Sequence, residues 1–243
     1  MPGKSFFIDT TKCTGCRGCQ AACKQWNRNA SAKTRQQGTY QNPPDLAATT
    51  FKLVRFSDAV SAAGAQAWYF FPDQCRHCLA PPCKMAADKK APGAARIDKK
   101  TRAVIFDPSV KISPADFQEV RDICPFDIPR YDEKLGGMTK CTMCFERVSE
   151  GLLPACVKAC PTGAMQFGER EVIRKMAEAR LDEVQNTYRK ASLINPEAVR
   201  VIFLVKDDPE KYHRFAAMTN EPEMTRMAAL KRLLDPATYL ELT

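Results

Sequence analysis

The chain has 243 residues, enough for one large domain or two small ones with a sizeable core, so its stability does not require crosslinks. Its twelve cysteines are about 5% of the sequence, a density below that of small secreted proteins held together by disulfides. The formal charge is +9, but lysines and arginines are scattered and form no basic stripe, which argues against nucleic-acid binding.

Short apolar and aromatic runs predict strands beside each group of cysteines. In chain order these runs lie at 6–9, 51–56, 68–71, 103–106 and 164–167. Residues 99–102 predict a hairpin turn between Ile97 and Val104. Residues 201–205 form a continuous apolar run of strand length.

Two segments have apolar residues at helical spacing and predict amphipathic helices over 170–192 and 222–234. The apolar positions are Val172, Met176, Ala179 and Val184 in the first, and Met224, Met227, Leu230 and Leu234 in the second. We expect both stripes to pack against their own domain, with docking on a partner helix as the alternative.

No membrane or export segment is expected. The first thirty residues contain neither an apolar stretch of signal-peptide length nor a twin arginine ahead of one, so we expect no export signal in the chain. The longest apolar runs, at 67–71 and 201–205, are far too short to cross a bilayer. We therefore expect a soluble protein.

Eight cysteines form two blocks with the spacing of bacterial ferredoxins. The first block, at residues 13–23, reads CxxCxxCxxxC, and the second, at 141–160, has the same order with a longer middle loop. In such runs the fourth cysteine ligates the other cluster of a pair. Exchange of the fourth ligands therefore predicts two [4Fe-4S] sites. Site 1 consists of Cys13, Cys16, Cys19 and Cys160, and site 2 of Cys23, Cys141, Cys144 and Cys156.

The other four cysteines predict a third site. Two further runs are incomplete, and the positions where cysteines are missing are Ala87, Pro114, Phe117 and Val120. After exchange of the fourth ligand, these four positions would belong to one cluster, so a single complete site is absent. The remaining ligands form site 3, which consists of Cys75, Cys78, Cys83 and Cys124. Three [4Fe-4S] clusters are predicted, with no thiol left over.

Disulfides and zinc are the alternatives for these cysteines. Cysteines two residues apart rarely pair with each other, and six disulfides would suit a smaller secreted chain. Zinc ribbons use separated CxxC pairs, so an uninterrupted run of four ligands is not a zinc spacing. Spacing therefore favours iron–sulfur clusters.

Few other residues offer chemistry. Only two histidines exist, His77 and His213, and no Walker loop, dinucleotide fingerprint, nucleophile elbow or HExxH is present, so we expect no catalytic site in this chain. His77 is expected to pack behind the ligands or lie at the surface; a role in setting a cluster potential or contacting a partner is the alternative. Gly15, Gly18 and Gly163 either let the backbone approach a cluster or simply form turns.

Several stretches closely resemble the iron–sulfur (beta, small) subunit of tungsten- or molybdenum-dependent formate dehydrogenases of sulfate-reducing bacteria. They are FFIDTTKCTGCRGCQAACKQW, QNPPD, FKLVRF, FFPDQCRHCLAPPCK, CPFDIPR, MTKCTMC, LPACVKACPTGAM and VRVIFL. The resemblance runs from about residue 5 to 215. Related ferredoxin-like subunits of molybdopterin oxidoreductases usually hold four clusters, so the incomplete runs narrow the match.

The resemblance implies an α+β fold with two ferredoxin-like halves, short β-hairpins and helices, and a C-terminal helical extension. Residues 1–45 and 132–170 would form the first half, 46–131 the second, and 171–243 a helix–strand–helix extension. The family also implies electron transfer from a large catalytic subunit with a tungsten or molybdenum bis-pterin centre, in a heterodimer, to an acceptor such as a cytochrome c. Alternatives are a subunit of another molybdopterin oxidoreductase, a free-standing carrier, or a zinc-stabilised interaction module. Export to the periplasm with the partner is expected, with a cytoplasmic complex as the alternative.

Overall fold

A computed structural model describes residues 2–31, 34–60 and 66–218 of the chain. The strands are β1 (Lys4–Asp9), β2 (Leu53–Val60), β3 (Gln66–Asp73), β4 (Ala95–Ile97), β5 (Val104–Phe106), β6 (Arg130–Asp132), β7 (Gly137–Thr139), β8 (Met165–Glu169), β9 (Ser192–Ile194) and β10 (Val201–Val205). The α-helices are α1 (Gly18–Trp26), α2 (Pro82–Lys90), α3 (Pro114–Asp122), α4 (Phe145–Ser149), α5 (Ala155–Lys158) and α6 (Arg170–Gln185). All six predicted strand runs and the turn at 99–102 are confirmed, and the fold is α+β as predicted. None of the described helices is long and apolar enough to cross a membrane.

One four-stranded sheet, in the order β8-β1-β10-β9, brings distant parts of the chain together. β1 pairs in parallel with β10, so that Phe6 lies opposite Val201, and it pairs antiparallel with β8. Every residue of β10 is buried, because helix α6 covers one face of the sheet and a larger core covers the other. This two-sided burial explains the continuous apolar run at 201–205. Residues after 171 thus contribute to the same sheet as the N-terminal strand.

Helix α6 confirms a helix in the predicted segment, but it ends at Gln185 and not at residue 192, and a different face is buried. Ile173, Ala177 and Val184 pack against the sheet, whereas Val172 is 59% exposed and Met176 is 41% exposed. Two apolar stripes lie one residue apart on this helix, and spacing alone did not distinguish them. The sequence-based assignment of Val172, Met176 and Ala179 to the packed face was therefore wrong. The predicted helix at 222–234 lies outside the described residues.

Three hairpins and several helices position the cysteines. The hairpins are β2–β3, β4–β5 and β6–β7. Cys75 follows β3 by two residues, and Cys141 follows β7 by two residues. Cys19 and Cys23 lie one turn apart on α1, and Cys156 lies on α5, which packs against α1. Strand ends and helix starts therefore place the thiols.

A second core fills the region where the sequence lacks a fourth set of cysteines. Ala87 on α2 and Phe117 and Val120 on α3 belong to one cluster of buried apolar residues, together with Val104 and Met138. Ala87 and Val120 have no exposed surface, and Phe117 is 6% exposed. The positions of three absent ligands are thus part of a packed hydrophobic core.

Replacing Phe117 tests this core. Phe117→Ala should lower the free energy of unfolding by about 3 kcal/mol, because it removes buried contacts and leaves a cavity. For a chain of this size the expected fall in Tm is roughly 6 to 12 °C. Thermal unfolding of the purified protein measures it, and the control is Val172→Ala, at a position that is 59% exposed. Equal effects of the two substitutions would contradict a packed core.

Candidate metal centres

The four cysteines of site 3 line one cavity. Cys75, Cys78, Cys83 and Cys124 surround an empty volume of about 330 Å³, which includes its opening to solvent. They come from the loop after β3, the first turn of α2 and the loop after α3. Proline residues form much of the remaining wall, namely Pro81, Pro82, Pro125 and Pro129. The structure therefore brings the predicted set together around a space that no side chain fills.

The four cysteines of site 2 line a second cavity. Cys23, Cys141, Cys144 and Cys156 surround about 280 Å³, again including the opening. Burial is the main cause of the raised pKa of Cys23. The neighbouring thiols of Cys141, Cys156 and Cys144 raise it further, as expected for groups that face one another. The four cysteines thus come from three separate segments, and Cys23 is the fourth cysteine of the first block.

The cysteines of site 1 lie nearer the surface. Cys19 is buried, Cys13 and Cys160 are half-buried, and Cys16 is exposed. A Cβ added to Gly18 would lie 3.6 Å from the Cys16 sulfur and 3.3 Å from the carbonyl oxygen of Ala159, so the first block passes against the residue before Cys160. Burial raises the pKa of Cys19, and the thiols of Cys16 and Cys160 raise it further. The predicted members of site 1 are therefore neighbours.

Backbone amides point at several of the sulfur atoms. The amide of His77 donates to the Cys75 sulfur at 3.3 Å, and the amide of Met143 donates to the Cys141 sulfur at 3.4 Å. Such N–H···S bonds favour the thiolate form and tune the potential of a bound cluster. Gly15 has φ +67°, and a Cβ there would meet Phe56 and Phe70 at 3.0 to 3.1 Å. The ligand loop therefore requires glycine at this position.

Burial keeps most of these thiols protonated in the absence of a metal. It raises the pKa of Cys13 and Cys124 to about 11, and that of four others to about 12. The four are Cys78, Cys141, Cys144 and Cys156. A bound metal must displace these protons, so binding is coupled to folding and to proton release. Four thiols per predicted site, with amide donors at Cys75 and Cys141, fit an iron–sulfur cluster.

A single-ion site is a poorer description of the geometry. In the ranges that the structure describes, no three cysteine, histidine or carboxylate side chains converge closely enough to hold one metal ion. Four sulfur ligands of one zinc ion lie about 3.8 Å apart, whereas the thiolates of a cubane bind four different iron atoms. At sites 2 and 3 the four cysteines surround a space that no side chain fills, which suits the second arrangement.

The three sites lie in the order 1, 2, 3. Gln74 lines the site 2 cavity and precedes Cys75 of site 3, while Lys140 lines the site 3 cavity and precedes Cys141 of site 2. Sites 2 and 3 are thus linked through the Gln74–Cys75 and Lys140–Cys141 peptide bonds. Sites 1 and 2 share helix α1, which carries Cys19 and Cys23.

The structure determines the position of His77 and reveals two buried lysines. His77 is fully buried, which rules out the surface alternative, and its Nδ1 accepts a hydrogen bond from the Val104 amide at 3.1 Å. Burial lowers the pKa of His77 well below its usual value, so the ring is neutral. Lys52 and Lys140 are buried beside the cysteines, and the sequence analysis did not single them out. Lys52 lies in the predicted strand run at 51–56 and Lys140 directly precedes Cys141, but neither position forms a distinctive pattern.

Comparison with known proteins identifies the family. A 4Fe-4S dicluster domain model matches residues 66–170, a range that holds eight of the twelve cysteines. Formate dehydrogenase 2 subunit beta (cytochrome c-553) of Nitratidesulfovibrio vulgaris is 50% identical over 89% of this chain and 99% of that protein. The chain belongs to the family of formate dehydrogenase iron–sulfur subunits.

Other members of the family are also similar. The formate dehydrogenase subunit beta of Megalodesulfovibrio gigas is 48% identical over 88% of this chain and 98% of that protein. The iron–sulfur subunit of the nitrate-inducible formate dehydrogenase of Escherichia coli is 34% identical over 95% of this chain and 77% of that protein. Formate dehydrogenase iron–sulfur subunits are electron-transfer subunits of an oxidoreductase complex, and the resemblance stated from the cysteine motifs is confirmed.

Replacing one cysteine tests the assignment of site 3. Cys124→Ser should reduce the iron content by about one third, from about twelve to about eight atoms per chain, because one complete cluster is lost. Iron and acid-labile sulfide analysis of anaerobically prepared protein measures this change. The control, Ile123→Ser, alters the adjacent residue, which is 49% exposed, and should retain all the iron. Unchanged iron in Cys124→Ser would show that this thiol is not a ligand.

Proposed function

We propose that this chain binds three [4Fe-4S] clusters and passes electrons from the tungsten or molybdenum bis-pterin centre of a large catalytic subunit to an external acceptor. Family membership supports formate as the source of the electrons. The observation that carries the proposal is the sorting of twelve cysteines into three neighbouring groups of four with none left over. Substrate chemistry belongs to the partner, and this subunit is non-catalytic.

The chain's own residues would bind the clusters, exclude water and set their environment. The ligands would be Cys13, Cys16, Cys19 and Cys160 at site 1, Cys23, Cys141, Cys144 and Cys156 at site 2, and Cys75, Cys78, Cys83 and Cys124 at site 3. When bound, [4Fe-4S] clusters supply reversible one-electron transfer. Amide donors from His77 and Met143 would stabilise the negative charge on the sulfur atoms.

The order of the sites supports a relay with site 2 in the middle. Sites 1 and 3 would be its two ends, and site 1 is the more accessible because Cys16 is exposed. The apolar core around Phe117 fills the region where the cysteines of a fourth cluster would lie. The relay proposed here therefore ends at site 3.

The division of the chain and its location follow from the same proposal. Residues 1–45 and 132–170 would hold sites 1 and 2, and residues 46–131 would hold site 3. Residues 171–243 would extend the first half, because strands β9 and β10 complete its four-stranded sheet. The acceptor would be a c-type cytochrome, in keeping with the name of the relative from N. vulgaris. Such an acceptor favours a periplasmic heterodimer.

Purification of the native complex tests the function. Anaerobic preparations should contain about twelve iron and twelve acid-labile sulfide atoms per copy of this chain, besides those of the partner. The complex should reduce a dye with formate, and the electrons should reach the clusters of this subunit. Stoichiometric zinc, activity with nitrate or a sulfur compound instead of formate, or a persistently monomeric protein would each contradict the proposal.

A further inference from the structure

Two buried lysines have only neutral partners. Lys52 is 2% exposed and Lys140 is 4% exposed. The Lys52 ammonium donates to the Pro72 carbonyl at 3.1 Å and to Oε1 of Gln74 at 2.6 Å. The Lys140 ammonium donates to the carbonyls of Val104 and Cys141, the latter at 3.2 Å. Among the described residues, no carboxylate lies within the 4.0 Å of a salt bridge to either ammonium.

An unpaired buried ammonium is costly, since its hydration is lost and neutral dipoles replace it only in part. Arg55 and Arg76, which are also buried, have carboxylate partners. Arg55 pairs with Asp73 and Asp45 at 2.7 Å, and Arg76 pairs with Asp73 at 2.7 Å. Three other arginines, Arg147, Arg170 and Arg200, are also buried against carbonyls, but a guanidinium is more weakly hydrated than an ammonium. The two lysines therefore need a counter-charge of another kind.

Each lysine lies at the boundary between two cysteine sets. Lys52 lines the site 2 cavity with Cys23 and Cys156. Two residues after Lys52, the Val54 amide donates to Oε1 of Gln20 at 3.0 Å, and Gln20 follows Cys19 of site 1. The segment that carries Lys52 thus lies against helix α1, which holds ligands of both sites.

Lys140 occupies the corresponding place between the other two sites. It lines the site 3 cavity and is bonded through the backbone to Cys141 of site 2. Burial raises the pKa of Cys78 to about 12, and the Lys140 ammonium opposes the increase. One ammonium thus lies at each of the two junctions in the row of three sites.

We propose that Lys52 and Lys140 are fixed counter-charges that raise the reduction potentials of the adjacent clusters, Lys52 at sites 1 and 2 and Lys140 at sites 2 and 3. The proposal rests on cluster binding as proposed above. Reduction adds one negative charge to a cluster, and a nearby positive charge in a medium of low dielectric stabilises the reduced form. Site 2 receives the contribution of both lysines. These are positioning residues that act through the clusters' electrostatic environment.

Redox titration of the purified complex, followed by electron paramagnetic resonance, tests the proposal. Lys52→Met should shift the reduction equilibrium of two clusters at least tenfold towards the oxidised form, which equals about 59 mV for a one-electron couple. Lys140→Met should do the same for two clusters, and one of the three should move in both variants. Lys175→Met, at an exposed position on α6, is the matched control. Lys52→Arg and Lys140→Arg keep the charge and should preserve the potentials.

The outcomes separate this inference from the proposed function. Wild-type complex with fewer than three clusters in this chain would overturn the proposed function itself. Full iron content with potentials that match those of Lys175→Met, or equal shifts in the Met and Arg variants, would overturn only the role of the lysines. Lys52→Gln and Lys140→Gln are prepared in parallel in case a Met variant loses iron. Loss of iron in both neutral variants but not in Arg supports the counter-charge, whereas equal loss in all three overturns it.

Discussion

Buried thiols impose the constraint on which this fold depends. Each set of four must converge from separate segments, and their burial favours the protonated state until a positive metal core replaces the protons. The scaffold therefore has to hold the sulfur atoms apart around a space of suitable size and supply amide donors to them. The hairpin ends and first helical turns meet these demands because both present free backbone N–H groups and fixed directions for the side chain.

The central sheet makes this convergence possible. Pairing of β1 with β8 and β10 brings the N-terminal block of cysteines next to the block at 141–160, although more than a hundred residues separate them. Helix α1 then packs on α5, and Cys23 lines one cavity with Cys141, Cys144 and Cys156. Cys75, Cys78, Cys83 and Cys124 line a separate cavity. The sheet therefore brings together the cysteines that the proposed ligand exchange requires.

Spacing in the sequence predicted much of the candidate site, because ligand spacing is local and each thiol has a defined partner set. The groups that line the cavities of sites 2 and 3 are those expected from the spacing. Contacts between residues far apart in the chain were harder to predict from the sequence. The parallel pairing of β10 with β1 has no local signal, and the buried face of α6 depended on which of two stripes met Phe7 and Ile202. Lys52 and Lys140 were missed because an isolated lysine in a chain with 37 basic residues forms no pattern.

The apolar core between α2 and α3 occupies the region where the ligands of a fourth site would lie. Ala87, Phe117 and Val120 fill their region with ordinary side-chain packing, so the surrounding helices keep their contacts.

The proposed exchange of the fourth ligands also bears on how the chain matures. In that assignment the ligands of site 3 all lie within residues 75–124, whereas site 2 would be complete only at Cys156 and site 1 only at Cys160. During synthesis on the ribosome, the N-terminal thiols would remain without their partners until more than half of the polypeptide has emerged. Iron would therefore enter two of the three proposed sites later than it could enter the third.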